Sequence, residues 1–483
     1  MRLEQLLAQA RGVVLAVGGP VRPPGASGPD ASDGVVVASL CHDSRDALPG
    51  SLFFCLKGAN ADGHDFALDA VRRGAVAVVC ERQMELDVPQ VLVAPGGARA
   101  AMAEIAAAYY GRPAEKLRMV GVTGTNGKTT VTHLLKSVFE FHGWPTAVLG
   151  TLGGTRTTPE ADVVHRVLAA EVAKQKVSVA MEVSSHALVQ GRVEGLAFAA
   201  AVFTNLTHEH LDYHKSMESY FDAKSVLFTP RMSAIGVVNR DDPWGRRLIS
   251  RAEIPIVTYG LDDASGVKAT LAATEFTWRG MQVSLGMPAS FNVENALAAA
   301  TVASALGVPE RDIAAGLSSA PAVAGRFEVI DESQPFAAIV DYAHTPAGLE
   351  RSAASARELA AGRLILVFGC GGDRDTSKRK VMGEIASRIA DVVILTSDNP
   401  RSEDPAAIIS EVSEGVSGSC ELLIDQDRLA AIERAVSIAL PGDIVVVAGR
   451  GHEKTQEIGG RSIPFDDSQV LREALRRNGV ERG

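Results

Sequence analysis

A glycine-rich segment, GVTGTNGKTT, separates an apolar stretch from a run of helix-forming residues. Glycines let backbone N–H groups approach a phosphate closely, and a helix that begins there adds the positive end of its dipole. Lys128 can then reach the β and γ phosphates, and the Thr129 hydroxyl can bind Mg²⁺. The general phosphate-loop pattern has a glycine where this chain has Val122, yet the segment predicts a site for the triphosphate of ATP rather than a simple strand-to-helix turn. The residues assigned to the nucleotide here are Gly124, Thr125, Asn126, Gly127, Lys128, Thr129 and Thr130.

A lysine lies on the apolar face of a predicted helix. The segment MESYFDAKSVLF predicts an amphipathic helix, and its apolar stripe is Met217, Tyr220, Phe221, Leu227 and Phe228. Lys224 faces the same way, and because a buried ammonium is costly, it should lose its proton or find a partner. The alternative is a lysine whose stem carries its ammonium past the stripe to water. A neutral lysine amine can add CO₂ to give a carbamate, which would turn a cation into an anionic oxygen ligand for Mg²⁺.

Two more side chains could bind a metal ion. Glu182 lies near the end of the predicted strand SVAMEVSS, and a carboxylate in a chain with a phosphate loop is a natural Mg²⁺ ligand. The alternative is a core acid with satisfied hydrogen bonds. His210, in the cluster THEHLDYH, could serve a second Mg²⁺ or pack as a core histidine. The predicted metal set is therefore Thr129, Glu182, His210 and Lys224 as a carbamate.

The elements that would position these residues alternate between strands and helices. Apolar runs such as SLFFCLKG, RMVGVTG, FAAIVDYAH and DIVVVAGRGHE predict short buried strands, most of them separated by helical stretches. This alternation predicts an α/β chain with mostly parallel sheets, whose ligands lie at the carboxyl ends of the strands. We expect three domains, covering residues 1–97, 98–324 and 325–483.

Composition narrows the function classes. The chain has 483 residues, 46% of them hydrophobic and 22% charged, which is typical of a globular protein with several domains. A net charge of −10 without a basic block argues against nucleic acid as a partner. The start of the chain predicts a short helix rather than a signal peptide, and no apolar run predicts membrane insertion. Five scattered cysteines suit a reducing compartment, so we expect a cytoplasmic protein, and we expect a monomer.

The phosphate loop, EVSSH, HLDYH and Lys224, in this order, resemble the Mur ligases over essentially the full length. The resemblance implies an N-terminal UDP-binding α/β domain, a central P-loop ATPase with a mostly parallel sheet and a C-terminal Rossmann-like domain. It also implies an ATP-dependent acid–amino-acid ligase of peptidoglycan precursor synthesis with Mg²⁺ and a CO₂-derived carbamate on Lys224. Lys128, Lys224 and His210 would be its catalytic residues.

The resemblance assigns further residues to the substrates. Ser44 and the turn Ala59, Asn60 and Ala61 would hold the uridine end, and Thr157, Thr158, Ser184, Gln190 and Arg192 would lie along the muramoyl-peptide. Asn292 and Asn295 resemble adenine-binding asparagines, and Arg326, Asp341 and His344 fall where the C-terminal domain closes over ATP. The chain departs from the family at Glu209, where an aspartate is usual, at Ala289, where a glycine is frequent, and in the short connection TLGGTRTTPEAD.

The amino-acid pocket distinguishes members of the family. Asp398, Asn399, Pro400 and Arg401 match the signature of the enzymes that take meso-diaminopimelate, completed by Arg374, Gly449 and Glu453. Diaminopimelate differs from lysine by a second carboxylate, which an arginine fork binds bidentately. Glu453 would hold the distal ammonium. The alternative for Arg401 is a surface loop arginine.

The resemblance implies a particular reaction, and alternative functions remain open. The γ-phosphoryl group of ATP would pass to the D-glutamate side chain of UDP-N-acetylmuramoyl-L-alanyl-D-glutamate, and the amine of diaminopimelate would attack the acyl-phosphate. The rivals are the same reaction with L-lysine, another member of the superfamily such as MurF or folylpolyglutamate synthetase, and a nucleotide switch or ATPase-driven binding protein without ligase activity.

Overall fold

A computed structural model describes residues 1–10, 16–18, 34–58, 61–153 and 156–482. The chain forms two compact units. The first comprises residues 1–123, 144–201 and 223–235, and the second comprises 124–143, 202–222 and 236–483. The chain passes between them within the strand Ala200–Phe203 and the helix Met217–Ser225, among other points.

The first unit begins with a sheet whose core lies on both faces. Alternation explains this, because Leu52 and Phe54 point to one buried cluster and Phe53 and Cys55 to another. The strand order is Ala16–Gly18, Gln90–Leu92, Ala75–Cys80, Ser51–Phe54 and Ser39–Cys41, and only the first pair is antiparallel. The helices of the unit are Leu3–Gln9, Ala67–Arg72, Ala98–Tyr109, Ala161–Ala173 and Ser185–Val189.

A second set of strands in the first unit leads to the phosphate loop. Ser178–Glu182 lies between Arg118–Thr123 and Thr146–Leu149, and both pairs are parallel. Parallel strands end at the same edge, so Thr123 and Glu182 finish close together. The predicted strands RMVGVTG and SVAMEVSS are present, and the second ends at Glu182, before its last three predicted residues.

The second unit contains the helix after the phosphate loop and a six-stranded sheet near the end of the chain. That sheet has the order Glu328–Ile330, Ala337–Asp341, Ile444–Ala448, Leu364–Phe368, Val392–Leu395 and Glu421–Ile424, all parallel except the first pair. The helices are Lys128–Phe141, Leu211–His214, Pro243–Arg251, Phe291–Ala305, Glu310–Ser318, Pro346–Leu359, Lys378–Ile389, Pro405–Ser413, Arg428–Ile438 and Asp467–Arg482. Apolar clusters cover both faces of the sheet, as expected for a Rossmann-like arrangement.

Smaller strand groups complete the second unit. Gly236–Asn239 pairs in parallel with Ile256–Tyr259. Ala264–Ala269, Thr274–Trp278 and Met281–Leu285 form an antiparallel sheet, and Thr455–Ile458 pairs with Arg461–Pro464 as a hairpin. The sequence analysis did not predict these antiparallel strands, which are short; Thr274–Trp278 is mostly buried, whereas Ala264–Ala269 and Arg461–Pro464 are mostly exposed. No helix in the described ranges is both long and apolar enough to cross a membrane.

Candidate active site

The phosphate loop is a tight turn in which glycines adopt left-handed backbone conformations. Gly124 has φ +148° and Gly127 has φ +88°, and the helix begins directly afterwards at Lys128. The Lys128 ammonium donates to the carbonyl oxygens of Gly124 at 2.9 Å and of Thr125 at 2.8 Å. The lysine therefore lies within the curve of the loop, at the N-terminus of a helix, where an anionic phosphate is stabilised.

The loop backbone is fixed by the polar pair that follows the strand Ala200–Phe203. Thr125 N–H donates to the carbonyl of Asn205, and Asn126 N–H donates to its side-chain oxygen, both at 2.9 Å. The Thr204 hydroxyl donates to the Asn126 carbonyl at 2.6 Å. Sequence reasoning missed Thr204 and Asn205 as loop supports, although a polar pair directly after a buried strand is the signal that could have found them.

Position 122 has a valine in this chain, where the general phosphate-loop pattern has a glycine. This position belongs to the strand Arg118–Thr123 rather than to the turn. It is fully buried and lies opposite Glu182 in the parallel ladder. Val183 N–H donates to the Val122 carbonyl at 2.8 Å. The turn starts only at Gly124, so the departure from the general pattern leaves the phosphate-binding part of the loop unchanged.

Glu182 is buried at the end of its strand and is hydrogen-bonded to Thr151. One carboxylate oxygen accepts from the Thr151 N–H at 2.9 Å and the other from its hydroxyl at 3.1 Å. A Cβ at Gly150 would lie 2.2 Å from the carboxylate, so only glycine fits there. Glu182 thus has the satisfied hydrogen bonds expected of a buried core acid, which was the alternative to a metal ligand. Its role as a Mg²⁺ ligand stays a prediction.

The residues predicted along the muramoyl-peptide come together in the first unit. The Thr158 hydroxyl donates to the Glu182 carbonyl at 2.9 Å and accepts from Ser184 N–H at 3.1 Å. Arg192 donates to the Thr158 carbonyl at 2.9 Å and to the Gln190 side chain at 2.6 Å. The Thr157 hydroxyl lies 3.1 Å from that of Thr151.

A buried acid that sequence reasoning missed organises this cluster. The Glu160 side chain, only 5% exposed, pairs with Arg99, Arg156 and Arg192 at 2.5, 3.1 and 3.0 Å. One carboxylate holding three guanidinium groups leaves a local excess of positive charge, which suits an anionic substrate.

Of the residues predicted to bind the uridine end of the substrate, the structure describes Ser44 and Ala61. Ser44 is buried and begins a short 3₁₀ turn, Ser44–Asp46. The Ala61 carbonyl accepts from Gly58 N–H at 2.8 Å. Ala59 and Asn60 lie outside the described residues.

Lys224 is only 1% exposed, so the alternative in which its ammonium reaches water is wrong. Its amine donates to the Thr123 hydroxyl at 3.4 Å. Thr123 is the last residue of the strand that enters the phosphate loop. The helix ends at Ser225, earlier than the apolar stripe predicts, and Val226–Phe228 continue as a 3₁₀ turn.

His210 is not a packed core histidine, because its side chain is 43% exposed. Its φ of +58° is unusual for a residue with a Cβ. Glu209 lies between two histidines, 3.2 Å from Nε2 of His344 and 3.6 Å from Nε2 of His210. Although burial raises the pKa of Glu209, its hydrogen bond to His344 and the charges of His210, His344 and Lys128 bring that pKa well below its usual value. The departure at position 209 thus supplies a carboxylate that links two predicted site residues.

The two predicted adenine asparagines contact each other near the phosphate loop. Asn295 donates to the Asn292 side-chain oxygen at 3.1 Å, and Asn292 donates to the Pro288 carbonyl at 2.7 Å. A Cβ at Gly127 would lie 2.5 Å from Oδ1 of Asn295. Ala289, where the resemblance to the family predicts a glycine, has φ +78°, a backbone conformation that glycine adopts without strain.

Residues after position 324 also contact the phosphate loop. The Arg326 guanidinium donates to the Thr129 hydroxyl at 3.0 Å and lies 4.3 Å above the ring of Tyr342. Asp341 accepts from the backbone N–H of Phe327 and of Tyr342. Burial raises the pKa of Asp341, although hydrogen bonds and the charge of Arg326 oppose that change.

The predicted amino-acid pocket lies where strands of the C-terminal sheet end. Asn399 donates to the Glu453 carboxylate at 2.8 Å, and Arg401 donates to the Gly372 carbonyl at 2.6 Å. The Arg401 side chain is 27% exposed and lies 3.2 Å from Glu457, so it is held rather than free on a surface loop. Burial and the charge of Asp398 raise the pKa of Glu453.

The other members of this pocket differ in exposure. Pro400 is buried, and Gly449 has φ +113°, where an added Cβ would lie 2.5 Å from Oδ2 of Asp398. Arg374 is exposed, so its predicted contact with the amino acid has less support than that of Arg401. No group of three or more His, Cys, Asp or Glu side chains in the described ranges is arranged to hold a metal ion.

Three sequence models of one family of ligases match the chain. The Mur ligase middle domain matches residues 122–303, the Mur ligase glutamate ligase domain matches 325–451, and the Mur ligase family catalytic domain matches 36–112. The chain belongs to the Mur ligase family.

Individual relatives agree with this assignment. A UDP-N-acetylmuramoyl-L-alanyl-D-glutamate--2,6-diaminopimelate ligase from Geobacillus kaustophilus is 45% identical over 471 residues, covering 92% of this chain and 96% of that protein. A solved structure of a ligase of the same name is 31% identical with a TM-score of 0.62, covering 92% of this chain and 95% of that one. The MurF ligase of Thermotoga maritima in complex with ADP shares the fold, with a TM-score of 0.67, 20% identity and coverage of 92% and 98%.

Proposed function

We propose that this chain is a MurE-type ligase of peptidoglycan precursor synthesis. It uses ATP to join meso-diaminopimelate to the D-glutamate side chain of UDP-N-acetylmuramoyl-L-alanyl-D-glutamate. Curated relatives named for this reaction, at 40% to 45% identity, support the proposal. The observation that carries the choice of amino acid is the hydrogen bond from Asn399 to the Glu453 carboxylate, because it links the segment that contains Arg401 to the proposed partner of the distal ammonium.

In the first step, the carboxylate of D-glutamate attacks the γ-phosphorus of ATP, and the bond from that phosphorus to the bridging oxygen of ADP breaks. The protein needs to hold the phosphates in line and neutralise their charge. Lys128 lies in the loop for this task, and the Arg326 guanidinium at Thr129 adds a second cation. Asn292 and Asn295 would contact the adenine.

Mg²⁺ would supply positive charge that stabilises the negative charge developing on the transferred phosphoryl group. The proposed oxygen donors are the Thr129 hydroxyl, the Glu182 carboxylate and a carbamate on Lys224, with His210 as a nitrogen donor. The near-complete burial of Lys224 supports the carbamate. A neutral lysine amine and CO₂ give the carbamate and one proton, and the product is an anion that a cation can pair with.

In the second step, the neutral amine of diaminopimelate attacks the acyl-phosphate carbon. The tetrahedral intermediate collapses, the carbon–oxygen bond to phosphate breaks, and the amine nitrogen gives up its proton. Arg401 would bind the distal carboxylate and Glu453 the distal ammonium, which presents the other amine for attack. Water must be excluded, since it would hydrolyse the acyl-phosphate.

Residues Thr157, Thr158, Ser184, Gln190 and Arg192 would hold the muramoyl-peptide, and Ser44 with the turn 59–61 the uridine end. The hydrogen bonds that join Thr158, Ser184 and Arg192 support a common surface for one substrate. We also infer a cytoplasmic monomer. Its five cysteines are all free, and four of them are buried.

Omission of single substrates tests the proposal. Phosphate release should require ATP, the UDP-muramoyl dipeptide and diaminopimelate together. A nucleotide switch or an uncoupled ATPase would release phosphate without the dipeptide, and that result would overturn the ligase assignment. Folylpolyglutamate or MurF substrates in place of this pair should give no release.

A further inference from the structure

A fully buried arginine pairs with a fully buried aspartate beneath the proposed amino-acid pocket. Arg428 begins the helix Arg428–Ile438, and Asp467 begins the helix Asp467–Arg482. Nε and Nη2 of Arg428 donate to the two carboxylate oxygens of Asp467 at 2.8 and 2.7 Å. Both side chains have 0% exposure, so this bidentate pair holds the guanidinium plane in one orientation.

The same guanidinium binds two backbone carbonyls from different strands. Nη2 donates to the carbonyl of Ala448 at 3.0 Å, and Nη1 donates to that of Ser397 at 3.3 Å. Ala448 ends the strand Ile444–Ala448, and Ser397 follows the strand Val392–Leu395. The residues that come next are Gly449 and Asp398, which begin the two segments of the proposed pocket.

These two segments also contact each other on the pocket side. A Cβ on Gly449 would lie 2.5 Å from Oδ2 of Asp398, so the aspartate side chain packs directly on the glycine. Gln456 donates to the Asp398 carbonyl at 2.6 Å, and Asn399 donates to Glu453 at 2.8 Å. A small shift between the strand ends would therefore change the spacing of the groups that face the amino acid.

A second buried arginine lies beside the pair. Arg450 is fully buried, and its Nε is 3.9 Å from Asp467. Its Nη2 donates to the carbonyls of Thr455 and Phe465 at 2.7 and 3.2 Å. Nε and Nη1 of Arg450 have no hydrogen-bond partner among the described atoms. The acids facing these two arginines are Asp467, Asp398 and Glu453.

We propose that Arg428 is a positioning residue for the amino-acid substrate: by binding the carbonyls of Ser397 and Ala448, it sets the spacing of Asp398 and Glu453 without touching the substrate. This inference rests on the proposed function, because it takes that pocket as the amino-acid site. A planar guanidinium can serve Asp467 and two carbonyls at once, whereas an ammonium is a single point of charge.

Replacement by a side chain of similar length tests the inference. In Arg428→Met, the KM for meso-diaminopimelate should rise by about 10- to 100-fold, as expected for misplaced binding groups. The KM values for ATP and the UDP-muramoyl dipeptide should stay within about twofold, since Lys128 and Arg326 bind neither carbonyl. The matched control is Arg434→Met, an exposed position on the same helix, which should change none of these constants.

Two further variants separate positioning from loss of stability. Arg428→Met leaves Asp467 buried without its partner, so the melting temperature should fall. Arg428→Met/Asp467→Leu removes that unpaired carboxylate and should regain part of the loss, since Arg450 keeps its hydrogen bonds to Thr455 and Phe465 but loses Asp467 as a nearby acid. The raised amino-acid KM should persist in the double variant and in Arg428→Lys. If the double variant recovers the KM together with the melting temperature, or if all three KM values rise in parallel, Arg428 has only a structural role and the inference is wrong.

The same assay separates this inference from the proposed function. If the unmodified enzyme uses lysine rather than diaminopimelate, the amino-acid assignment fails. The KM for lysine is then compared with the KM values for ATP and the UDP-muramoyl dipeptide. Arg428 keeps its positioning role if only the KM for lysine rises and stays raised in the double variant. If the unmodified enzyme uses diaminopimelate and Arg428→Met leaves its KM unchanged, the positioning role fails alone.

Discussion

The Arg326 guanidinium donates a hydrogen bond to the Thr129 hydroxyl at 3.0 Å. This contact joins the segment after residue 324 to the first turn of the helix that follows the phosphate loop. The guanidinium also lies 4.3 Å above the Tyr342 ring, which restricts its orientation. Arg326 is therefore held where a triphosphate would meet both the loop and the C-terminal part of the chain.

Replacing Arg326 by alanine should lower kcat/KM for ATP. A hydrogen bond from a charged group contributes about 1.5–3 kcal/mol, which corresponds to roughly 10- to 150-fold. Steady-state kinetics with ATP as the varied substrate measures the effect. Arg311→Ala is the control, since its side chain is 84% exposed and it should behave as the unmodified enzyme. An unchanged kcat/KM in Arg326→Ala would contradict this role.

Replacing Lys224 by alanine should lower kcat by about 100-fold or more, because the proposed carbamate oxygen is lost as a metal donor. A short carboxylic acid such as acetate should restore part of the activity by filling the space with a carboxylate. Lys174→Ala, at a 65% exposed lysine, should be fully active and insensitive to acetate. Mass spectrometry or bicarbonate-dependent ¹³C NMR of the unmodified protein should show one added CO₂. No added CO₂ and no rescue would together rule out the carbamate.

Arg401 should decide between diaminopimelate and lysine. Its φ of +54° is a left-handed conformation that asparagine tolerates better than alanine, so Arg401→Asn preserves the backbone best. This variant should raise the KM for diaminopimelate by about 10- to 100-fold through loss of a charge-assisted bidentate pair. The KM for lysine should change little, and Arg461→Asn, at an exposed arginine, should leave both constants unchanged. Equal losses for the two amino acids would show that Arg401 does not read the second carboxylate.

As the pH falls, binding of the amino acid should weaken at a higher pH than the pKa of an ordinary glutamate would predict. Burial, together with the charge of Asp398, raises the pKa of Glu453, so its carboxylate is protonated as the pH falls through that raised value. The protonated acid no longer pairs with an ammonium, and the KM for diaminopimelate should rise on the acid side. Glu453→Gln should show a high KM that no longer follows pH in this range, while the KM for ATP serves as the internal reference. An identical pH profile in the variant would assign the titration to another group.

Much of the fold follows from short-range sequence patterns. The apolar runs that end in Thr123, Glu182, Asp341 and Ala448 are strands with those residues at their ends. Because parallel strands end at one edge of a sheet, residues distant in sequence could be assigned to shared sites before their contacts were known. The helical spacing of Lys224 likewise predicted its burial, since position on a helix face depends on nearby residues alone.

The remaining features depend on contacts that sequence spacing does not encode. Arg428 and Asp467 are 39 positions apart, and a charged residue is usually exposed, so neither signals a buried pair. The burial of Glu160 was equally hidden in the sequence, because its partner Arg99 lies 61 positions away. The left-handed backbone at Ala289 could not be inferred from the alanine itself, which disfavours that conformation.

Competition between amino acids tests the central claim most directly. With ATP and UDP-N-acetylmuramoyl-L-alanyl-D-glutamate saturating, phosphate release is measured while meso-diaminopimelate or L-lysine is varied. We expect kcat/KM for diaminopimelate to exceed that for lysine by at least about 100-fold, the value of one bidentate carboxylate contact. Equal or better use of lysine would contradict the account.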